Sequence, residues 1–241
     1  IAYHYNKLAT RGFAKAIDVW GADHHGHVAR MKGAMDAIGL HGEDLDVVLM
    51  QMVNLMRDGQ PVRMSKRTGN AITLTDLLEE VPIDSARFLF NMHDAGSGID
   101  FDLDQAVKTD NDNPVYYVQY AHARICSVLR QAQEKGFAIP AEAEAAEFDL
   151  SSLTGTAATA LAAKFAGYGE TLAVAARDLA PHLICVYLKE LAADFHTFYN
   201  AERVLVDNEA ERNARLALCM AARRVLANGL EVLGVSAPER M

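Results

Sequence analysis

The chain has 241 residues, of which 51% are hydrophobic and 23% charged, and its formal net charge is −9. This composition is typical of a soluble globular protein of one or two domains with a real core. No apolar run approaches the ~20 residues of a membrane helix, which excludes a membrane-spanning chain and a membrane partner. The acidic total neither excludes nor supports RNA binding, because cations can be concentrated locally.

The start of the chain and its cysteines indicate whether it is part of a longer protein and in which compartment it works. It begins at Ile1 in the middle of an element, so we expect it to be the C-terminal piece of a longer protein. Three cysteines (Cys126, Cys185 and Cys219) lie far apart within helical patterns. We expect them to be small buried residues of a reducing compartment, which indicates a cytoplasmic protein.

Residues 16–54 predict a β-α-β unit. Residues 16–20 form a short apolar strand that ends at Gly21, residues 24–38 a helix, and residues 47–53 a strand apolar enough to be covered on both faces. A strand, helix and strand of this length imply two parallel strands joined by a right-handed crossover. Ligands of parallel sheets bind beyond the carboxyl ends of the strands, which is where Gly21 lies.

The segment after Gly21 carries Asp23, His24, His25 and His27. As a nucleotide site, Asp23 would accept a hydrogen bond from a ribose hydroxyl and His24 would lie over the nucleoside. Asp and His are also good metal ligands, and a metal-dependent phosphoesterase using Asp23, His24 and His25 is an alternative. A polar helix start without function is a further interpretation, and it ranks ahead of the metal site. We favour the nucleotide and expect no protein-bound metal.

A cationic loop follows, from Asp58 to Asn70. Lys66 is a compact charge suited to pyrophosphate, and Arg63 and Arg67 can each contact phosphate oxygens with two N–H groups. The loop's flanking glycines, Gly59 and Gly69, would let it open and close. The plain alternative is a solvated basic turn.

The remainder of the chain is predicted to be helical apart from a loop and an exposed connection. Residues 75–81, with Thr75 as N-cap, and 84–93 form two helices, and 94–100 form a glycine-rich loop. From about residue 104 the periodicity predicts a helical bundle over 114–134, 181–199 and 209–233, with 136–149 as an exposed connection. The apolar stripes of these three helices are Val115, Val118, His122, Ile125 and Leu129; Ile184, Leu188, Leu191, Phe195 and Phe198; and Leu218, Ala222, Val225, Gly229 and Val232.

One helix in this bundle carries exposed aromatic residues. Tyr116, Tyr120 and Arg124 lie opposite the apolar stripe of helix 114–134, with Tyr117 at the border. Tyrosines beside an arginine can stack unpaired bases, each contributing roughly 1–3 kcal/mol. Packing under a neighbouring helix is the alternative.

Several of these motifs resemble one enzyme family. Arg63-Met64-Ser65-Lys66-Arg67 is similar to the Lys-Met-Ser-Lys-Ser loop of class I aminoacyl-tRNA synthetases, and Gly21 to His27 is similar to the adenosine-binding turn of that class. The helix from Asn113 to Arg124 and the end Leu233 to Met241 resemble arginyl-tRNA synthetases in particular.

The resemblance implies a fold and an activity. Residues 1–104 would be the second half of a Rossmann-like α/β catalytic domain, and residues 105–241 an all-α anticodon-binding domain. The complete enzyme joins arginine to ATP, with Mg²⁺ on the ATP phosphates, and transfers arginine to its tRNA. A monomer is expected.

The resemblance also implies roles for single residues. Lys66, with Arg63, Ser65 and Arg67, would stabilise the pyrophosphate. Adenosine would be bordered by Gly21, Asp23, His24 and Met64. The tRNA would be contacted by Tyr117, Tyr120, Ala121, Arg124, Tyr199 and Met241.

This sequence departs from the family pattern in two places. Arg63 stands where the loop has Lys and Arg67 where it has Ser, and the His-Ile-Gly-His element is absent. We therefore expect these 241 residues to bind tRNA without forming arginyl-adenylate. A non-catalytic RNA-binding module remains the second alternative to the ligase.

Overall fold

The computed structural model describes residues 1–62, 72–139 and 149–241. These residues divide into two compact units. Ile1–Val62 and His93–Phe101 form the first, called here the strand unit, and the other described residues form the second, called here the helical unit. Residues 72–92 therefore cluster with the later helices, although they precede the boundary that the sequence predicts at residue 104.

The strand unit contains the predicted parallel crossover. Strand β1 (Ala16–Gly21) pairs in parallel with strand β2 (Leu45–Met50), with Ala16 opposite Leu45 and Gly21 opposite Met50. A 3₁₀ turn at Ala22–His27 follows β1, so helix α2 (Val28–Ala37) begins later than predicted. A short helix, α1 (Ala2–Tyr5), opens the unit and continues as a π-helical turn at Asn6–Thr10.

The predicted strand over residues 47–53 is wrong in its bounds. Strand β2 ends at Met50, and a separate strand β3 (Val53–Arg57) lies in a three-stranded sheet between β4 (Gln60–Pro61) and β5 (Ile99–Asp102). Asp58 and Gly59 connect β3 to β4 with φ values of 51° and 69°. Asp-Gly is a favoured pair for such two-residue hairpin turns, because Gly tolerates positive φ. Gly59 thus belongs to an ordered hairpin, not to the mobile loop that the sequence predicts.

Within the described residues, the helical unit is built from eight helices. The elements are α3 (Leu74–Glu80), α4 (Ile83–Asn91), α5 (Leu103–Ala106), α6 (Pro114–Glu134), α7 (Thr156–Ala166), α8 (Tyr168–Arg177), α9 (His182–Ala201) and α10 (Glu209–Val232). Helices α6, α9 and α10 lie close to the predicted bounds, whereas no bounds were predicted for α7 and α8 within the region expected to be helical. Among the described residues, no helix is long and apolar enough to span a bilayer.

The starts of α3 and α6 carry side-chain caps. Thr73, and not the predicted Thr75, caps α3: its hydroxyl accepts from the Asp76 amide while the Asp76 carboxylate accepts from the Thr73 amide. Asn113 caps α6, with Pro114 at the first helical position. The buried Asn113 amide also donates to the carbonyls of Ala106 and Lys108, which fixes the entry of the chain into α6.

The core of the helical unit uses the predicted stripes almost throughout. All five stripe residues of α6 and all five of α9 are buried. In α10 the stripe fails at its end, because Val232 is 59% exposed. Gly229 lets α10 approach α9 closely: a Cβ at this position would lie 2.6 Å from the Leu188 side chain.

The three cysteines are free and buried, as predicted. Burial raises the pKa of the Cys185 and Cys219 thiols to about 12 and raises the pKa of Cys126 as well. The thiolate is the reactive form of cysteine, so all three are inert packing residues at neutral pH.

Candidate nucleotide turn and nucleic-acid interface

The turn after β1 lies at the carboxyl ends of two parallel strands. Gly21 ends β1 opposite Met50, the last residue of β2. The side chains of Asp23 and His24 are 81% and 60% exposed, and His24 Nε2 lies 3.8 Å from Asp23 Oδ2. A Cβ on Gly21 would lie 2.6 Å from Asp23 Oδ1, so the Asp23 carboxylate packs against the Gly21 backbone in space that a side chain would occupy. The turn therefore presents an accessible carboxylate where ligands of parallel sheets bind.

The metal interpretation of this turn gains no support. Asp23, His24 and His25 are all described and exposed, but no group of three or more metal-binding side chains converges within the described part of the chain. Three ligands are the minimum that protein metal centres normally use. Nothing in the geometry of the turn therefore favours a phosphoesterase.

The predicted catalytic loop lies outside the described residues. This applies to Arg63, Met64, Ser65, Lys66 and Arg67. Their proposed roles stay predictions from the sequence. The described chain resumes at residue 72, just before the capping box of α3.

A cavity of about 490 Å³ opens on the helical unit and collects four predicted tRNA-binding residues. Its lining includes Tyr120, Arg124, Tyr199 and Met241, together with Ser127 and Arg130. These residues come from α6, the end of α9 and the C-terminal tail. The volume lies within the usual range of small-molecule pockets. We call this site the first cavity.

Aromatic rings and a guanidinium are stacked along one side of the first cavity. The rings of Tyr116 and Tyr120 are 6.1 Å apart and nearly parallel, at 7°. The Arg124 guanidinium carbon lies 5.1 Å from the Tyr120 ring centre and 4.5 Å from that of Tyr199. Such cation–π contacts hold the guanidinium plane in place. Tyrosine rings and guanidinium planes are the surfaces on which unpaired RNA bases stack.

His196 of α9 holds the Arg124 guanidinium through a hydrogen bond. Arg124 Nη1 donates to His196 Nδ1 at 3.3 Å. Because arginine can only donate, Nδ1 must be the unprotonated ring nitrogen. Burial, and then the charge of Arg124, lower the pKa of His196 to about 4. The imidazole is thus neutral at physiological pH and can accept from Arg124.

Two predicted contact residues do not reach the cavity. Ala121 is 0% exposed in the core and does not line the first cavity, so its predicted contact with tRNA stays a prediction that the burial of its side chain does not favour. Tyr117 packs on the core, with its ring centre 5.0 Å from that of His196. Burial raises the pKa of the Tyr117 phenol. Tyr117 therefore lies outside the lining of the first cavity, against His196, and its predicted contact with tRNA stays a prediction.

The C-terminal tail is held against α6 and α4 by a chain of hydrogen bonds, called here the tail clamp. Gln119 Nε2 donates to Asp84 Oδ2 at 2.9 Å and to the Ser236 carbonyl at 2.9 Å. The Ser236 hydroxyl also donates to Asp84. Farther along, the Pro238 carbonyl accepts from His122 Nδ1 at 2.9 Å. Burial lowers the pKa of His122, which keeps the ring neutral.

The tail clamp brings Met241 to the first cavity. Arg130 Nη1 donates to the Glu239 carbonyl at 3.1 Å, and the next two residues, Arg240 and Met241, line the cavity. Sequence reasoning missed Arg130 and Ser127 as lining residues. Tyr120, Arg124 and Ser127 follow one another at the i, i+4, i+7 spacing of a helix face, and that signal could have revealed Ser127.

The comparisons with known proteins concern the same region. The family model described as the DALR anticodon binding domain matches residues 118–241, which include the whole lining of the first cavity. Arginine–tRNA ligases of Desulfitobacterium hafniense and Caldanaerobacter subterraneus are 53% and 54% identical to the chain over its full length. The chain belongs to the arginyl-tRNA synthetase family. It spans 42% of the length of these two relatives.

Solved structures of arginyl-tRNA synthetases share the fold. A protein described as an arginyl-tRNA synthetase from Campylobacter jejuni is 36% identical, with a TM-score of 0.86 over 99% of this chain and 50% of that one. The Thermus thermophilus arginyl-tRNA synthetase is 27% identical, with a TM-score of 0.77 over 95% of this chain and 41% of that one. The predicted α/β segment followed by a helical anticodon-binding domain is thus confirmed.

Proposed function

We propose that the helical unit binds the anticodon loop of an arginine tRNA through the first cavity. The observation that carries this proposal is the meeting of Tyr120, Arg124, Tyr199 and Met241 around one cavity. The cavity lies within the range that matches an anticodon-binding family. Arg130 and Arg240 add positive charge at the rim, which favours the phosphates of a single strand despite the acidic total.

A binding measurement tests this proposal. The 241-residue chain should bind an arginine tRNA more tightly than a tRNA for another amino acid. Arg124→Ala and Tyr199→Ala should each weaken binding by roughly 5-fold to 150-fold, as expected when a base loses its stacking surface. Glu134→Ala, on the exposed end of α6, is the matched control and should bind like the parent. Equal affinity of the parent for both tRNAs would contradict the proposal.

The second part of the proposal concerns the ligase reaction of the longer relatives. The strand unit would contribute the adenosine side through Gly21, Asp23 and His24, a role supported by the exposed carboxylate at the strand ends. Lys66, with its neighbours Arg63, Ser65 and Arg67, would neutralise the pyrophosphate, and Met64 would line the adenine. This role is supported by the loop sequence. Mg²⁺ would arrive on the ATP phosphates.

The reaction has its own test. ATP–pyrophosphate exchange measures formation of the adenylate separately from tRNA binding. The 241 residues alone should bind the tRNA and show no arginine-dependent exchange. The expectation rests on the absence of a His-Ile-Gly-His element from the sequence. Robust exchange with arginine would prove it wrong without touching the tRNA-binding proposal.

A further inference from the structure

A cavity of about 280 Å³ lies between α7, α8 and α9, and it shares no lining residue with the first cavity. Val174 of α8 and Leu183 and Val186 of α9 form its apolar side, and Val186 is 46% exposed. At about 3.6 residues per turn, Glu190 in its lining and Tyr199 in the first cavity project from opposite sides of α9. We call this site the α8–α9 cavity.

Lys164 shows how one wall of this cavity holds an aliphatic cation. Its Nζ lies 5.1 Å from the centre of the Tyr187 ring and forms an ion pair with Glu190. The Tyr187 hydroxyl donates to the Lys164 carbonyl at 2.8 Å, which fixes the ring. An aromatic face and a carboxylate together favour an organic cation. The ammonium of Lys164 is therefore already matched by the wall itself.

The α8 side of the cavity presents a carboxylate and an apolar surface without a cation. Glu170 and Val174 are one helical turn apart on the same face of α8, and both line the cavity. Glu170 is exposed, and within the described residues no ion pair neutralises it. Because Lys164 is matched by Glu190, the carboxylate of Glu170 leaves the lining with an uncompensated negative charge.

The remaining hydrogen-bonding groups of the lining accept and do not donate. The Thr171 hydroxyl gives its proton to the main-chain carbonyl four residues earlier, at 2.9 Å. The Tyr187 hydroxyl gives its proton to a main-chain carbonyl as well, and the Lys164 ammonium is directed to its ion pair. The lone pairs of Thr171 and the carboxylate of Glu170 remain as acceptors. A ligand that fits must therefore donate hydrogen bonds and carry positive charge.

We propose that the α8–α9 cavity binds a small organic cation, a short aliphatic chain that ends in one ammonium or guanidinium group. The head would pair with Glu170 and donate to Thr171, and the chain would cover Val174 and Val186. The volume is near the lower end of the range for small-molecule sites, which suits a short chain.

A basic side chain of a partner protein would offer the same head. Its main-chain carbonyls, however, would find no free side-chain donor in this lining, so we assign the site to a free amine or guanidine. This role goes beyond the proposed tRNA binding and does not depend on it.

NMR titration of the ¹⁵N-labelled 241-residue chain with n-butylammonium chloride tests the site. The amides of Thr171, Val174 and Val186 should shift and saturate, with a Kd on the order of 1–10 mM. Affinity should rise roughly 2-fold to 4-fold per methylene from ethylammonium to n-butylammonium, because the chain is buried. n-Butanol, which has the same chain without the charge, should bind at least about 5-fold more weakly.

Variants test the carboxylate. Glu170→Gln keeps the shape and removes the charge, and it should weaken n-butylammonium binding by roughly 2-fold to 5-fold. Glu231→Gln, on the exposed end of α10 outside the cavity, is the matched control and should bind like the parent. Glu170 is exposed, so the spectrum of its variant should match that of the parent outside the site.

The peptide acetyl-Gly-Lys-Gly-amide separates the two sources of the cation and should bind more weakly than n-butylammonium. Tighter binding of the peptide would overturn the assignment to a free amine. Shifts that do not saturate, equal affinity for n-butanol, or unchanged affinity in Glu170→Gln would overturn the site itself. None of these outcomes touches the tRNA-binding proposal, which is measured at the first cavity.

Discussion

The two units of this protein bury their apolar residues very differently. In the strand unit, Ile17 and Val19 of β1 are 46% and 62% exposed, and the core around Ala16, Met35 and Leu45 is small. In the helical unit, large side chains such as Phe195 and Phe198 are fully buried in one continuous cluster. Since burial of apolar area is the main stabilising term in folding, the helical unit should dominate the stability of the chain.

The largest expected effect tests this contrast directly. Phe195→Ala should lower the free energy of unfolding of the helical unit by about 3–5 kcal/mol, because it leaves a cavity in the core. Val19→Ala, on the exposed face of β1, should cost less than about 0.5 kcal/mol. Urea unfolding followed by circular dichroism reports the helices, and the fluorescence of Trp20, the single tryptophan of the chain, reports β1. Equal losses of unfolding free energy in Phe195→Ala and Val19→Ala would contradict the proposed difference in burial between the two units.

A smaller effect is expected at the tail clamp. Asp84→Ala removes the acceptor for Gln119 and Ser236, and unsatisfied polar groups of this kind cost about 1–3 kcal/mol each when buried. The free energy of unfolding should fall by about 1–2 kcal/mol, and affinity for an arginine tRNA should fall with it, although Asp84 does not line the first cavity. Asp84→Asn should recover part of both losses. If Asp84→Ala is destabilised but binds tRNA as tightly as the parent, the tail clamp contributes to stability and not to tRNA binding.

The smallest effect concerns pH and again belongs to the helical unit. The pKa of His196 is about 4 in the fold, below its ordinary value of 6.5. A depressed pKa means that the folded state disfavours the proton, so stability is full above pH 6.5 and is lost as the pH falls towards 4. At this partly exposed site we expect about 1 kcal/mol after solvent screening. The free energy of unfolding, measured by urea unfolding with circular dichroism at each pH, should vary less between pH 6.5 and 4 in His196→Gln than in the parent. The same pH dependence in both proteins would contradict the role given to His196.

Helical periodicity predicted the parts of the fold that one buried face determines. Helices α6, α9 and α10 each combine bulky stripe residues with regular spacing, so their positions could be predicted within a few residues. Helices α7 and α8 are rich in alanine and other small residues, for which the spacing carries little contrast. The start of α3 depended on a choice between Thr73 and Thr75, and only the reciprocal bonds with Asp76 identify Thr73.

The residues of the first cavity could be predicted from the sequence only in part. Tyr120 and Arg124 could be inferred from one helix, whereas Tyr199 and Met241 entered through the family resemblance, because no local pattern links residues so far apart. Arg130 could not be predicted, because its place depends on the path of the tail towards Glu239.

The buried thiols also make the chain suitable for site-specific labelling. Cys126, Cys185 and Cys219 are the three cysteines of the sequence, and burial raises the pKa of each. Alkylating dyes attack thiolates, so the native protein should take up little dye at neutral pH. A cysteine introduced at the exposed Gln133 would then be the preferred attachment point, and its fluorophore would stand one helical turn from Arg130, where it could follow an RNA as it arrives and leaves.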